Sequence, residues 1–311
     1  MPGGVAASGV RPAVKPRPAP VRGCEWWQEL LITATEGYRA TLPDRPRDMV
    51  CESLFAGMMT EAYVDSALGL KTHIQAACDM KDAAQRFVLR NHAHRLSHFY
   101  GNLDDMMDEN VMKGGEKCLK CETCRLSTLL PIDCVRFGSP CQPFAKPRNR
   151  NGKTPDTGTV REHHHFATLF EKVFVYLQSR VPRGFVMEEV DGMKDIDPVS
   201  QKPYAVLFME HTASLGFSTR CVEINAAAWG PVPRPRLYFV GLTEEIGGAA
   251  AADLIVKRVD EILAFRRAHP IPPLFGSKGV AGILPRGDLA TQSRREAKEL
   301  YMTDDFICDF K

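Results

Sequence analysis

The sequence lacks a long hydrophobic run and any large excess of charge of one sign. Its 311 residues contain no stretch of about 18 consecutive apolar residues, the length that spans a membrane as a helix. The 40 lysines and arginines nearly balance the 38 aspartates and glutamates, and a net charge of +2 does not by itself indicate nucleic acid binding. These absences exclude a membrane-spanning helix, and 44% hydrophobic residues exclude a wholly disordered chain.

A secretory leader and a dense set of cysteines are also missing. No apolar stretch follows Met1, and ten cysteines in 311 residues are too few for a small disulfide scaffold. We therefore expect these cysteines to be reduced thiols, metal ligands or a nucleophile. No clear basic run that would direct the protein to a nucleus is present. The protein is not predicted to be secreted.

Three regions follow one another along the chain. Residues 1–24 combine proline with arginine, contain no acidic residue and show no periodic apolar face, so we predict a disordered tail. Residues 25–268 have globular patterning, with a cysteine-rich insertion at about 110–130. Residues 269–311 form a C-terminal extension.

Within the globular region, apolar strand patterns alternate with helical patterns. Strands are predicted at residues 49–55, 72–78, 96–100, 132–137, 184–190, 219–224 and 237–241. Helices are predicted at residues 25–40, 83–89, 162–177, 204–215 and 249–267, with another after residue 57. This alternation predicts an α/β fold with a mostly parallel twisted sheet and helices on both faces. Ligands of such sheets bind beyond the carboxyl ends of the strands, so the residues there are the informative ones.

A cysteine follows one of these predicted strands in a turn that its neighbours restrict. Cys141 lies between Pro140 and Gln142, with Gly138 before it and Pro143 after it. Glycine and the two prolines fix a tight turn, which would expose the thiol towards the ligand edge of the sheet. A thiolate in that position is a candidate nucleophile, and the alternative is a small buried residue in a loop.

Two further charged groups stand at strand ends. Glu188 closes a predicted strand, where a partly buried carboxyl would have a raised pKa and could donate a proton near neutral pH. Arg234 and Arg236 directly precede another strand and would place guanidinium groups at the sheet edge. Taken alone, the glutamate could equally be a surface acid, and the arginines could be solvated.

In this order, the segments resemble the motifs of the DNA (cytosine-5) methyltransferase family. Residues 54–57 resemble the first motif, Asp79 the acidic second motif, and residues 101–103 stand where the family has Gly-Asp-Ile. Residues 138–144 match the Pro-Cys-Gln motif, residues 185–192 resemble the Glu-Asn-Val motif, and residues 234–236 resemble the Gln-x-Arg-x-Arg motif. The resemblance covers about residues 49–242, and the Pro-Cys-Gln segment is its most specific part.

The resemblance implies a Rossmann-like methyltransferase fold that acts on DNA with S-adenosylmethionine as cofactor. Cys141 would add to carbon 6 of cytosine, Glu188 would contact ring nitrogen 3, Arg236 would hold the exocyclic oxygen, and Arg234 would brace the loop. The implied cofactor-binding residues are Phe55, Ala56, Gly57, Asp79, Asn102, Leu103 and Pro140. The target base would have to leave the duplex, and the chemistry needs no metal. A DNA substrate also implies a nuclear location in a eukaryote and a cytoplasmic one otherwise.

Several positions depart from the family pattern. Met58 and Met59 follow Gly57 where further glycine is usual, and we expect them to crowd the cofactor. Asn102 replaces an aspartate, and Glu189 replaces an asparagine and adds a charge beside the site. Glu189, Met59 and the short C-terminus favour one alternative, a degenerate member that binds cofactor or nucleic acid without turnover. An RNA cytosine-5 methyltransferase is another.

The C-terminal part of the resemblance is short. Only 69 residues follow Leu242, and the family's final cofactor motif is not recognisable there. Residues 25–268 would be the catalytic domain and residues 269–311 an incomplete or reduced recognition region. We therefore expect a partner or a missing segment to supply target recognition.

The cysteine-rich insertion lies outside the resemblance. Cys118, Cys121 and Cys124 have a spacing that suits zinc, and a fourth ligand could be Cys134 or a histidine. A loop of reduced thiols and an iron–sulfur site are the alternatives.

Overall fold

A computed structural model describes residues 48–67, 70–107, 117–121, 130–141, 143–144, 160–163, 166, 168–228 and 234–268. Seven strands lie in this part of the chain. They are β1 (Met49–Leu54), β2 (Thr72–Cys78), β3 (Leu96–Tyr100), β4 (Cys134–Gly138), β5 (Gly184–Val190), β6 (Phe217–Asn225) and β7 (Pro235–Thr243). Each predicted strand is present, and the bounds of β2, β3 and β5 agree with the prediction residue for residue.

The seven strands form one sheet in the order β3-β2-β1-β4-β5-β7-β6. The first five strands of this order pair in parallel, whereas β7 pairs antiparallel with both β5 and β6. The prediction of a mostly parallel sheet is confirmed. The insertion of β7 between β5 and β6 was not predicted, because apolar alternation identifies a strand but not its direction.

Helices cover both faces of the sheet. They are α1 (Thr60–Ala67), α2 (Asp82–Asn91), α3 (Leu103–Met107), α4 (Val173–Arg180), α5 (Tyr204–Ser214) and α6 (Gly248–Ala268). One apolar cluster joins Met59, Ala62 and Val88 to one face of the strands, and a larger one joins α4 and α5 to the other face. Among the described helices, none has the length and apolar character needed to cross a membrane.

Two predicted helices have different outcomes. The helix at 25–40 lies outside the described residues. The continuous helix predicted at 162–177 is wrong, because a turn at Val160–Glu162 and a π-helical turn at Thr168–Lys172 precede α4. In this arrangement the rings of Phe166 and Phe170 stack 4.7 Å apart and pack against Phe144 in the core.

A buried carboxylate ties α4 to the centre of the sheet. Glu52 in β1 is 0% exposed and accepts hydrogen bonds from Arg180 at 2.5 Å, from Gln75 at 2.9 Å and from the hydroxyl of Tyr176. A charge removed from water in this way is tolerated because it is paired and hydrogen-bonded. The contacts therefore fix the position of α4 on the sheet.

The strand registers bring the carboxyl ends of the parallel strands to one level. Leu54 pairs with both Cys78 and Phe137, Cys78 pairs with Tyr100, and Gly138 pairs with Glu188. The segments that follow β1, β2, β3 and β4 therefore begin at the same edge of the sheet. Most of the sequence-predicted site residues belong to these segments.

Candidate active site

The turn that carries Cys141 is anchored on both sides. The Phe144 N–H donates to the Cys141 carbonyl at 3.0 Å, and the Phe144 ring is 1% exposed, with its centroid 5.4 Å from that of Tyr204. Gly192, just after β5, lies so close to this segment that an added Cβ would approach the Phe144 carbonyl oxygen to 1.8 Å. The half-buried Cys141 thus sits on a segment that is fixed by the packing of the core.

Glu188 and Arg236 form an ion pair beside this turn. The Arg236 Nε lies 2.7 Å from Glu188 Oε1, and the two side chains are 22% and 36% exposed. β7 makes the pair possible, because Glu188 pairs with Tyr238, and Val190 pairs with Arg236, across the β5–β7 ladder. Tyr238, which sequence reasoning missed, is therefore a neighbour of the pair, and its pKa is raised by burial and by the Glu188 charge. Arg234 is exposed, and its N–H donates to the Asn225 side-chain oxygen at 2.9 Å.

Glu189, the replacement for asparagine, is the buried acid of this region. It is 1% exposed, accepts a hydrogen bond from the Ser139 hydroxyl, and accepts the Val190 N–H at 2.8 Å. Burial raises the pKa of Glu189 to about 7, against the opposing effect of these hydrogen bonds. Glu189 therefore contacts Ser139, two residues before Cys141. The carboxyl group of Glu189 gains or loses its charge near neutral pH.

The electrostatic surroundings of Cys141 disfavour the thiolate in the resting protein. Burial is the main cause that raises the thiol pKa, and the negative charges of Glu189 and Glu188 add to it. The positive charge of Arg236 acts in the opposite direction. The two carboxylates and the guanidinium thus act in opposite directions on the pKa of this thiol.

We expect Glu189→Gln to lower the Cys141 pKa and Arg236→Met to raise it. The glutamine removes a negative charge while keeping polar atoms for Ser139 and Val190, and the methionine keeps much of the arginine's length without its charge. The measurement is the rate of Cys141 alkylation by iodoacetamide as a function of pH, resolved by peptide mass spectrometry.

Cys221 is the internal control for this measurement, because burial raises its pKa to about 11 and neither substituted side chain contributes to that shift. If both variants shifted the pH dependence of Cys141 alkylation in the same direction, the opposite effects assigned to Glu189 and Arg236 would be wrong.

The segment after β1 faces an open space at the same edge. The Ala56 N–H donates to the Cys78 carbonyl at 2.9 Å, and the Gly57 N–H donates to Asp79 Oδ2 at 2.8 Å. Gly57 has a left-handed φ of +53°, which glycine adopts without strain, and an added Cβ would meet no atom within 4 Å. Phe55 packs against the larger apolar cluster. The backbone at Gly57 can therefore be approached closely by a bound molecule.

Asp79 and Asn102 lie at the ends of β2 and β3. Asp79 Oδ1 accepts the Lys81 N–H at 2.8 Å, and each carboxylate oxygen keeps a lone pair for another donor. Asn102 Oδ1 accepts the Asp105 N–H at 2.8 Å, so this side chain caps α3, whose first residue, Leu103, is buried. Pro140, the remaining predicted residue, is half-buried next to Cys141. The structure thus brings all the sequence-predicted cofactor residues to one edge.

The expected crowding by Met59 is wrong. Its side chain is 0% exposed and packs into the apolar cluster with Val88 and Phe99, away from the open edge. Met59 has a left-handed φ of +53°, although it is not glycine. The Met58 side chain is 56% exposed, and its carbonyl lies 3.2 Å from His92 Nε2.

The predicted metal ligands are only partly placed. Cys118 and Cys121 lie together with His98 of β3, and the three candidate ligand atoms are all within 4.8 Å of one another. Cys124 lies outside the described residues. Cys134 is excluded as a fellow ligand, because β4 is three strands from β3, about 14 Å at usual strand spacing. The sequence offered no sign of which histidine would join the cysteines.

Comparison with known proteins gives one family and several relatives. The model of the family described as C-5 cytosine-specific DNA methylase matches residues 74–263, more than half of the chain. The Type II methyltransferase M.DdeI of Desulfomicrobium norvegicum is 27% identical over 115 residues, which are 37% of this chain and 25% of that protein. The Type II methyltransferase M.Sau3AI of Staphylococcus aureus is 28% identical over 145 residues, 45% of this chain and 33% of that protein.

A solved structure is also similar. It is a candidate DNA modification methyltransferase encoded within an E. coli prophage, with 15% identity and a TM-score of 0.44, and the match covers 64% of this chain and 48% of that one. For M.DdeI and M.Sau3AI, the segments that match this chain span only a quarter and a third of the relative's own length. The family match begins at residue 74, so residues 54–57 lie before it.

Proposed function

Because the chain belongs to the C-5 cytosine-specific DNA methylase family, we propose that it transfers a methyl group from S-adenosylmethionine to carbon 5 of cytosine in DNA. The observation that carries the proposal is the meeting of Cys141, Glu188 and Arg236 at the sheet edge where Gly57 and Asp79 also lie. This grouping supports the proposal, because one base and one cofactor bound at that edge would meet these side chains.

Cys141 is the proposed nucleophile. After losing its proton, the sulfur adds to carbon 6 of the cytosine ring, which turns carbon 5 into an electron-rich, enamine-like centre. Carbon 5 can then accept a methyl group. Loss of the carbon-5 proton and departure of the sulfur from carbon 6 restore the aromatic ring and the free cysteine.

Glu188 and Arg236 are proposed to bind the edge of the same base. The Glu188 carboxyl would hydrogen-bond to ring nitrogen 3 and stabilise the charge that develops during thiolate addition. Arg236 would hold the exocyclic oxygen, and its 2.7 Å contact to Glu188 positions that carboxyl. Arg234 would brace the loop before β7, a role supported by its backbone contact to Asn225. Since a base inside a duplex cannot reach these groups, base flipping belongs to the proposal.

The residues present fit S-adenosylmethionine, the cofactor of this family. The open space above Gly57 admits a ligand close to the backbone, with Phe55 and Ala56 beside it. Asp79 has lone pairs for ribose hydroxyls, and Asn102 Oδ1 has one for an adenine amino group, with Leu103 and Pro140 as neighbours. When bound, the cofactor supplies an electrophilic methyl group on its sulfonium.

The test is methyl transfer from cofactor with a tritium-labelled methyl group. The chain is incubated with a cytosine-containing duplex, with the same duplex carrying 5-methylcytosine at every cytosine, and with transfer RNA. We expect label in the unmodified duplex and none in the premethylated duplex, which has no carbon-5 proton to replace.

Two outcomes would overturn the proposal in favour of the alternatives. Label in transfer RNA alone would identify an RNA cytosine-5 methyltransferase. Cofactor binding without label in any substrate would identify a degenerate member, which the replacement of asparagine by Glu189 favours.

The domain limits belong to the same proposal. We assign residues 25–268 to the catalytic domain, residues 110–130 to an insertion, and residues 1–24 and 269–311 to a tail and a C-terminal extension. Support comes from the sheet and helices between residues 48 and 268, in which the short turn Glu244–Ile246 leads from β7 into α6. A partner or a further segment would supply target recognition. The location would be that of the DNA, the nucleus in a eukaryote and otherwise the cytoplasm.

Zinc is proposed as a second cofactor with a structural role. Two of the three predicted cysteines, Cys118 and Cys121, lie close together, and methyl transfer through Cys141 needs no metal.

A further inference from the structure

A histidine and two cysteines from distant parts of the chain meet beside the outermost strand of the sheet. His98 Nδ1 lies 3.8 Å from Cys121 Sγ and 4.0 Å from Cys118 Sγ. Cys118 is 9% exposed, and the other two residues are half-buried. The cluster lies on β3, at the far side of β2 and β1 from the strand that precedes Cys141.

These separations are close to those of ligands on one zinc ion. Zinc lies about 2.3 Å from sulfur and about 2.0 Å from nitrogen, so tetrahedral ligands place sulfur about 3.5 Å from nitrogen. The two observed sulfur–nitrogen distances exceed that value by a few tenths of an ångström. Two thiolates and an imidazole are also the donor types that zinc prefers.

The backbone around the cysteines is held against the strand independently of the thiols. Cys118 forms an antiparallel bridge with Tyr100, and the Leu119 N–H donates to the Phe99 carbonyl at 2.7 Å. The Lys120 ammonium donates to the Leu96 carbonyl. The main chain therefore brings both sulfur atoms to His98, as a preformed site requires.

We infer that His98, Cys118 and Cys121 bind one zinc ion, which fastens the cysteine-rich segment to the edge of β3. Both thiols lose their protons when the metal binds, and the two sulfur atoms and the imidazole nitrogen each donate an electron pair to it. His98 lies four residues before Asn102, so the metal supports the strand whose end carries the proposed adenine-binding residues. The inference extends the proposed zinc by naming the histidine, and it does not depend on methyl transfer.

The test is the metal content of the full chain, purified without a polyhistidine tag from zinc-supplemented culture. We expect about one zinc per chain, as for a single structural site. Replacement by Co²⁺ should give thiolate-to-cobalt charge-transfer absorption and the visible bands of a tetrahedral ion. The cobalt spectrum uses the unmutated protein, so it is decisive even if a ligand variant fails to fold.

Matched variants identify the ligands. His98→Asn and Cys121→Ser should lose the metal, whereas His73→Asn, on the neighbouring strand β2, and Cys221→Ser, on β6, should keep it. Wild-type protein that lacks zinc, contains iron instead, or gives a cobalt spectrum without sulfur ligation would overturn the inference. So would retention of full zinc by His98→Asn. Methyl transfer is not measured, so failure here leaves the proposed reaction standing.

Discussion

Cys141→Ala is expected to reduce methyl transfer to DNA by at least about 10⁴-fold, because no other step makes carbon 5 of cytosine sufficiently nucleophilic. The fold should survive, since Cys141 is only half-buried and the turn is held by Phe144 and Gly192 rather than by the sulfur. The measurement is label transfer to duplex DNA, with circular dichroism and thermal unfolding to compare the folded states.

A trapping experiment separates loss of the nucleophile from a general loss of activity. DNA that contains 5-fluorocytosine should form a covalent complex with the wild-type chain, because fluorine at carbon 5 cannot leave as a proton does. The complex should be absent with Cys141→Ala. It should be present with Cys221→Ala, which removes a thiol on the edge strand β6, three strands from β4. Methylation by Cys141→Ala at a rate near that of the wild type would refute the assignment of Cys141 as the nucleophile.

Glu188→Gln is expected to slow methyl transfer by about 10²–10⁴-fold, the usual effect of losing a general acid or base. Glutamine keeps the size of the side chain and one acceptor for Arg236, but it cannot exchange a proton with ring nitrogen 3. Single-turnover rates at saturating DNA and cofactor measure the effect without a contribution from product release.

Glu189→Gln is the matched control, because it makes the same chemical change at the next residue. Glu189 is 1% exposed and bonds to Ser139 and Val190, so it supports the turn and does not contact the base in our proposal. We expect a rate within about tenfold of wild type. A larger loss in Glu189→Gln than in Glu188→Gln would show that the two glutamates have been assigned the wrong roles.

The strands were predictable because turn residues and charges interrupt short apolar runs. β3 ends at Tyr100, just before Gly101, and β2 ends at Cys78, just before Asp79, and both boundaries were correctly predicted. The direction of β7 was not predictable, since the run from Leu237 onward has the same alternation in either orientation. The irregular start of α4 was missed because it depends on how Phe166 and Phe170 pack against Phe144, a contact between distant segments.

The site was predictable where one short segment carries its own chemistry. The placement of Cys141 at a restricted turn followed from Gly138, Pro140 and Pro143. The burial of Glu189 and the proximity of Tyr238 were not predictable, because both depend on the register between β5 and neighbouring strands. His98 was missed for a similar reason, since 20 residues separate it from Cys118 and only the fold brings them together.

The docking of Cys118 and Leu119 on β3 has a consequence for the solubility of the protein. In the part of the chain that the structure describes, β3 is an outer strand of the sheet, and an exposed strand edge offers unpaired N–H and carbonyl groups to other molecules. The bridge to Tyr100 and the hydrogen bond to Phe99 occupy part of that edge. Release of the segment would leave β3 open to pairing with a second copy of the chain. The docked residues therefore shorten the strand edge on which a second copy could pair, whether or not a methyl group is transferred.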